Sequence, residues 1–224
     1  MTKTTVSLLL CFCTTLFYTN TSLAQDLNPF NEVIISGNVS VLLVASDEES
    51  ISIKNNEEQL DYYVDGRTLK LKATDLIQYS NEPATKVVLR YKKIVDLRVR
   101  AGASAYTEQA MKGEQLTIKF SSGASGEIEV AQNTVEASAS EGADLELEGQ
   151  TEWLEAKVAT GGEISAYKLA TDNVVVRANT GGNAKVFANR SIDARANTGG
   201  SVSYKGNPKK VQQKTGLAGT IRSW

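Results

Sequence analysis

The sequence predicts an all-β chain, a single-stranded parallel β-helix (β-solenoid) with coils of about 19 residues and an irregular β-rich N-terminal cap. Two observations predict it. Short runs of alternating apolar residues return at a nearly fixed long period, and each period carries glycine or alanine at the same internal place.

Seven segments begin at Val95, Leu116, Val135, Leu154, Val174, Ile192 and Val211, spaced 21, 19, 19, 20, 18 and 19 residues apart. Within them, apolar or small residues occupy offsets 0, 2 and 4, as in Val95/Leu97/Val99, Leu116/Ile118/Phe120, Leu154/Ala156/Val158 and Ile192/Ala194/Ala196. Period two is what a strand with one buried face requires. The seventh segment is weaker, with Gln213 and Thr215 in the inward places.

Offset 7 holds glycine in six segments (Gly102, Gly123, Gly142, Gly161, Gly181, Gly199), and offset 8 holds alanine or glycine in all seven, from Ala103 to Gly219. A second short run follows each corner, for example Leu145/Leu147, Ile164/Ala166 and Val202/Tyr204. Each repeat therefore reads as strand, glycine-rich corner, strand, turn. Glycine suits a corner because it reaches backbone angles closed to other residues and lets neighbouring coils approach. Gly161, Gly181 and Gly199 are expected to form a column without room for a side chain.

A meander of hairpins would also space strands this way, but it gives no reason for a constant internal order. Stacked coils do, because each column then becomes a ladder with steps of about 4.8 Å. Small inward residues such as Ala137, Ala156, Ala178 and Ala194 imply a narrow core.

Upstream of the regular repeats (94–224), residues 25–93 are strand-rich but uneven. Val33/Ile35, Val39/Val41/Leu43, Ile51/Ile53, Leu69/Leu71 and Val87/Leu89/Tyr91 alternate, Asp65-Gly66 predicts a hairpin turn, and 72–84 reads as a loop. This stretch is expected to form the cap and first coils of one domain spanning 25–224, since a solenoid needs atypical terminal coils.

Residues 1–24 read as a signal peptide: Lys3, an apolar run from Val6 to Phe17, and Ser22-Leu23-Ala24 before Gln25. The apolar run is shorter than the roughly 20 residues that span a bilayer, and no later segment is apolar enough to do so. The expected location is therefore exported: periplasm, outer-membrane surface or extracellular. Cys11 and Cys13 both lie in the leader, so no disulfide is expected in the remainder, and neither cysteine has the small residues before it that mark lipid attachment.

Charge excludes some classes. The net charge is −2 at pH 7, or −3 without Lys3, which gives no global case for nucleic acid. The chain has no histidine, and so lacks the commonest general base and metal ligand.

The Ser36-Gly37-Asn38 corner, the later Gly-Ala and Gly-Gly corners and the closing Tyr204-Lys205-Gly206-Asn207-Pro208 resemble the auto-transporter adhesin head GIN domain family of Bacteroidetes-type bacteria. The resemblance covers Phe30 to Ile221. It implies a β-helix-like fold, export and an adhesive role, and it supplies no catalytic residues. The sequence shows no appended membrane barrel, so a free head is expected.

The leading candidate surface is an outward ladder at offset 3: Arg98, Lys119, Ser138, Lys157, Arg177, Arg195 and Lys214. Stacked cations repel one another, so such a row calls for an anionic partner. An anionic polysaccharide would supply repeated charge along it. Compensation within the chain is the competing reading, since offset 1 on the same face carries Asp96, Glu136, Glu155 and Asp193. The Asn-Thr-Gly-Gly corners are expected to stack Thr160, Thr180 and Thr198, and Asn179 with Asn197, in hydrogen-bonded ladders. They lack the Lys-Ser/Thr ending of a phosphate loop, and Glu163, Asn183 and Ser201 stand where a calcium-binding repeat needs aspartate.

Asp144, Glu146, Glu127, Glu129 and Glu163 make a carboxylate cluster of the kind that cleaves glycosides. The turns, however, are short and regular, whereas active sites usually need longer loops to build walls. No catalytic, cofactor or metal residue is assigned, and a non-enzyme is expected. The expected partners are a surface glycan or another envelope protein. The open readings are an adhesive module, a self-assembling envelope component that forms homo-oligomers through the solenoid ends, and a polysaccharide-cleaving β-helix. Trp224, after the exposed last strand, either caps the core or anchors a partner.

Overall fold

The computed structural model describes residues 25–74 and 84–224. The expected signal peptide lies outside the described residues, as does most of the expected 72–84 loop. In chain order, β1 (Gln25–Asp26), β2 (Glu32–Ser36), β3 (Val39–Ala45) and β4 (Ser50–Ile53) precede a 3₁₀ turn at Glu57–Gln59. Next come β5 (Leu60–Asp65), β6 (Thr68–Ala73), β7 (Thr85–Tyr91), β8 (Asp96–Arg100), β9 (Ser104–Thr107) and β10 (Met111–Ser121). The long strands β11 (Ser125–Ala139), β12 (Asp144–Val158) and β13 (Glu163–Ala178) follow. The chain finishes with β14 (Asn183–Phe187), β15 (Ser191–Ala196), β16 (Ser201–Lys205), β17 (Lys210–Thr215) and β18 (Thr220–Ser223). Lys72 and Ala73, expected in a loop, complete β6 instead.

The coils stack in parallel, as the repeat predicts. One inward row runs Leu97, Ile118, Ala137, Ala156, Val176, Ala194, Gln213 across successive coils. A second runs Ala105, Gly126, Leu145, Ile164, Ala184, Val202, Ile221 on the opposite face. We call these the first and second faces. The inward residues at offsets 0, 2 and 4, including Val135 and Leu154, are buried from Leu116 to Ala196. Val95 is an exception and is only half-buried, with Ile94 taking the core position beside it. On the narrow side where β11–β13 bend from one face to the other, Gln132, Thr151 and Thr171 stack in register. Their side chains donate to the carbonyls of Met111, Asn133 and Leu169, which pairs polar groups that the bend would otherwise bury unsatisfied.

The corners have two distinct glycine requirements. At Ala159–Gly162, Thr160 (φ 50) and Gly161 (φ 71) are both left-handed, and the Gly162 N–H donates to Ala159 O at 2.9 Å, as in a type I′ turn. The Gly161 N–H then donates along the axis to Thr180 O, and the Gly181 N–H to Thr198 O. The expected steric column at offset 7 is corrected here. A Cβ on Gly161 or Gly181 would meet nothing within 4 Å, and what these residues supply is the positive φ. The crowded position is offset 8: a Cβ on Gly162 would lie 2.6 Å from Ala139 O, and on Gly200 2.3 Å from Ala178 O. The asparagine ladder is present, with Asn197 Nδ2 donating to Asn179 Oδ1 at 3.3 Å. The axial bonds of the threonine row come from backbone.

At the N-terminal end, stack order departs from chain order. The coil made by β2 and β3 lies between the β6–β7 coil and the β8–β9 coil, parallel to both. The chain thus starts in the second coil and runs outward through β4 and β5. It returns as the outermost coil, then crosses the first-formed one to reach β8. Antiparallel strands close this end: β5 on β6 through the Asp65-Gly66 turn, β4 on β7, and β1 on β4. At the other end, among the described residues, β17 pairs with β15 and β18 with β16, and no strand lies beyond them.

Candidate functional site

The first face brings the predicted cations into one row. Arg98, Lys119, Ser138, Lys157, Arg177, Arg195 and Lys214 are successive register partners. Strand alternation puts them outward: from Arg98 to Arg195 the residues on either side of each are buried, and Lys214 follows by register. The register line continues two positions beyond Arg98, through the uncharged Ile34 to one further cation. Ile34 pairs with both Arg98 and Lys70, so Lys70 joins at the capped end. Chain order hid this, since the coil carrying Lys70 stacks out of turn.

Most of the row is compensated by carboxylates, two residues away for Arg98, Lys157 and Arg195 and from other positions for Arg177 and Lys70. Arg98 makes a double bond pair with Asp96, both contacts at 2.8 Å, and this holds its guanidinium charged more firmly than usual. Lys157 and Arg177 share Glu155, each at 2.9 Å, and these contacts, Lys157 first, hold the Glu155 carboxyl below its ordinary pKa. Arg195 meets Asp193 at 3.2 Å, and Lys70 meets Asp65 at 2.9 Å. Among the described residues, Lys119 and Lys214 have no carboxylate partner. Ser138, the one small member of the row, leaves a shallow depression bordered by Lys119, Lys157, Glu136 and Glu155. The Lys157–Glu155 and Lys70–Asp65 pairs are solvent-exposed, so each is worth at most about 1 kcal/mol and opens at little cost, whereas the Asp96 side chain under Arg98 is only 17% exposed.

The carboxylate cluster is also assembled, on the second face. Glu127 pairs in register with Glu146, Glu129 with Glu148, and Asp144 with Glu163. Lys168 bridges Glu146 and Glu148, and Lys185 meets Glu163 at 2.6 Å. Among the described residues Asp144 has no such contact, and its carboxyl is pushed above the ordinary value by partial loss of water contact and then by Glu163 and Glu146. The depression here is open, lined by Tyr106, Gly126, Glu127, Asp144, Glu146, Glu163 and Ser165. Among the described residues, no three carboxylate or other ligating side chains converge as a metal site.

Trp224 does not cap the core. It lies outside on the second face, packed edge-on against Tyr167 with ring centroids 5.5 Å apart, and Lys205 Nζ stands 3.7 Å from its ring centre. In the last coil Gln213, in an inward place, donates to the Tyr204 hydroxyl at 2.9 Å. Among the described residues, no helix is long and apolar enough to cross a membrane.

Residues 29–208 match the family described as "Putative auto-transporter adhesin, head GIN domain". Among solved structures, the chain resembles one described as a putative adhesin from Bacteroides fragilis, with a TM-score of 0.82 at 18% identity over 90% of this chain and 95% of that one. A protein described as a putative lipid binding protein from Parabacteroides distasonis aligns with a TM-score of 0.69 at 19% identity, over 90% and 95% of the two chains. A putative adhesin from Parabacteroides merdae aligns with a TM-score of 0.68 at 18% identity, over 90% and 94%. These identities establish a shared fold. No curated protein matches the sequence.

Proposed function

Because the chain belongs to the head GIN domain family of auto-transporter adhesins, we propose that it is an exported, non-catalytic binding module that presents its first face to an anionic glycan of a cell surface. The family implies an exported or surface protein, and the leader-like residues 1–24 support the periplasm, outer-membrane surface or extracellular space as its place. The observation that carries the reading is the cation row. Six of seven successive coils, from Arg98 to Lys214, place lysine or arginine at one register position on a flat, parallel face.

A repeated site suits a repeated ligand. Sulfate or carboxylate groups of a polysaccharide can replace Glu155 as a partner, because exposed pairs exchange at little cost. Each contact is weak, and several on one chain give useful avidity. Lys119 beside the Ser138 depression is the natural first contact, since it has no internal partner to give up.

The test is binding to sulfated and uronate polysaccharides by the parent and by a Lys119→Ser, Lys157→Ser, Arg177→Ser variant. Parent binding is expected to weaken as salt rises, because exposed charges are screened over about 10 Å at 0.1 M. The variant is expected to bind at least about tenfold more weakly while keeping its strand circular dichroism. A folded variant that binds as well as the parent removes the row from function.

A further inference from the structure

The last acidic residue in the sequence is Asp193, and everything after it is basic or neutral. Residues 194–224 contain Arg195, Lys205, Lys209, Lys210, Lys214 and Arg222, and no aspartate or glutamate. The near-zero charge of the whole chain conceals this block. In the structure these cations fall on the last described coils, β15 to β18, where among the described residues no further strand pairs on β17 or β18. Among the described residues, Lys205, Lys209, Lys210, Lys214 and Arg222 have no carboxylate partner.

Large apolar side chains stand among them. Leu217 is 81% exposed, Trp224 59% and Val211 45%. Leu217 also breaks the corner pattern. The equivalent place in the six earlier corners holds Ala101, Ser122, Glu141, Thr160, Thr180 and Thr198, all small or polar. A leucine at this apex gains nothing from the fold and points to an apolar partner outside it. The match to the family stops at residue 208, so β17, its corner and β18 lie beyond the matched part.

We propose that this terminal coil docks end-on onto an anionic phospholipid surface. One coil occupies one level of the solenoid, so its corners reach a flat partner together: Lys209 and Lys210 at the entry, Leu217 at the turn and Arg222 at the exit. Anionic headgroups match the cations, and the interfacial layer takes leucine, a combination typical of peripheral membrane contacts. A glycan would leave Leu217 without a partner. A second copy of the tip would set unpaired cations against unpaired cations. This proposal stands independently of the glycan face.

The experiment is sedimentation of the chain with phosphatidylcholine vesicles, with and without phosphatidylglycerol. Parent protein is expected to pellet only with the anionic vesicles and to be released by salt. A Lys209→Ser, Lys210→Ser, Arg222→Ser variant, which keeps Lys119, Lys157 and Arg177, is expected to partition on the order of a hundredfold less. Leu217→Ser, at an open corner, should weaken partition several-fold with the salt response unchanged, and it supplies the readout should the charge variant not fold. A folded parent that does not partition, or partitions equally into neutral vesicles, overturns the proposal. Partition unchanged in the folded charge variant does so too. A concentration-dependent dimer that forms without lipid and that Leu217→Ser abolishes assigns the tip to a second copy and also overturns it.

Discussion

At Gly161 and Gly162 two adjacent glycines serve different physical needs, and the letters of the sequence are the same for both. Gly161 needs a positive φ in open space, whereas Gly162 needs the absence of a Cβ against the Ala139 carbonyl. The pair Gly181 and Gly200 separates the two effects. Gly181→Ala keeps room for its methyl and should cost about 1 kcal/mol, the ordinary penalty for a left-handed L-residue. Gly200→Ala places a methyl 2.3 Å from Ala178 O, so two coils must part, and the cost should exceed about 2 kcal/mol. Urea unfolding of both variants measures this; the reverse order would mean that the close coil contact is absent. Charge at single residues gives a second contrast. Asp144 has a folded pKa above its ordinary 3.8, so ionising it costs stability: the native state is favoured while the group is protonated and loses that advantage as pH rises through the folded pKa. Glu155 is shifted down from 4.5, so its stabilisation is present at neutral pH and fades as pH falls. At pH 7, Asp144→Asn should therefore raise the melting temperature and Glu155→Gln lower it. Both differences should close in acid, where the carboxyls are protonated in folded and unfolded chains alike. Shifts of the same sign at pH 7 would contradict the geometry.

At the scale of elements, the regular coils were readable because each repeats the same alternation with its corner at the same offset. From Leu116 to Ala196 the inward residues are those that period two selects. The N-terminal coils were readable as strands but not in their order. Val33/Ile35 and Leu69/Leu71 alternate alike, and nothing in either pair says that β2 will sit between β6 and β8. That placement depends on hydrogen bonding to two strands that occur later in the chain. The same dependence yields a prediction. β2 and β3 gain partners on both sides only when β6 to β9 are in place, so cap and repeats should unfold as one unit. Amide exchange in β6 and β7 should report the same opening free energy as in β12 and β13. A distinctly lower value for the first pair would divide the chain into two cooperative units. Leu71→Ala, in a fully buried place of the outermost coil, should cost about 2–5 kcal/mol, as a core truncation does.

For the molecule as a whole, the repeat made the fold and the candidate row legible together, because register in a solenoid converts a sequence offset into a surface line. What escaped was whatever required knowing the ends. Lys70 entered the row through the out-of-order coil, and Trp224 proved to lie outside the core, against Tyr167. The unpaired basic tip was visible in the letters after Asp193 but was averaged away by counting charge over the full chain. The functional account rests on one claim, that ligand recognition is repeated along the stack. The measurement that tests it most directly is affinity as a function of glycan length. From Arg98 to Lys214 the row spans about 29 Å at the spacing of paired strands. Binding to size-fractionated anionic oligosaccharides should keep strengthening until the ligand reaches that length, and level off beyond it. Affinity that is already maximal for a di- or trisaccharide would place recognition in a single local site and contradict the account.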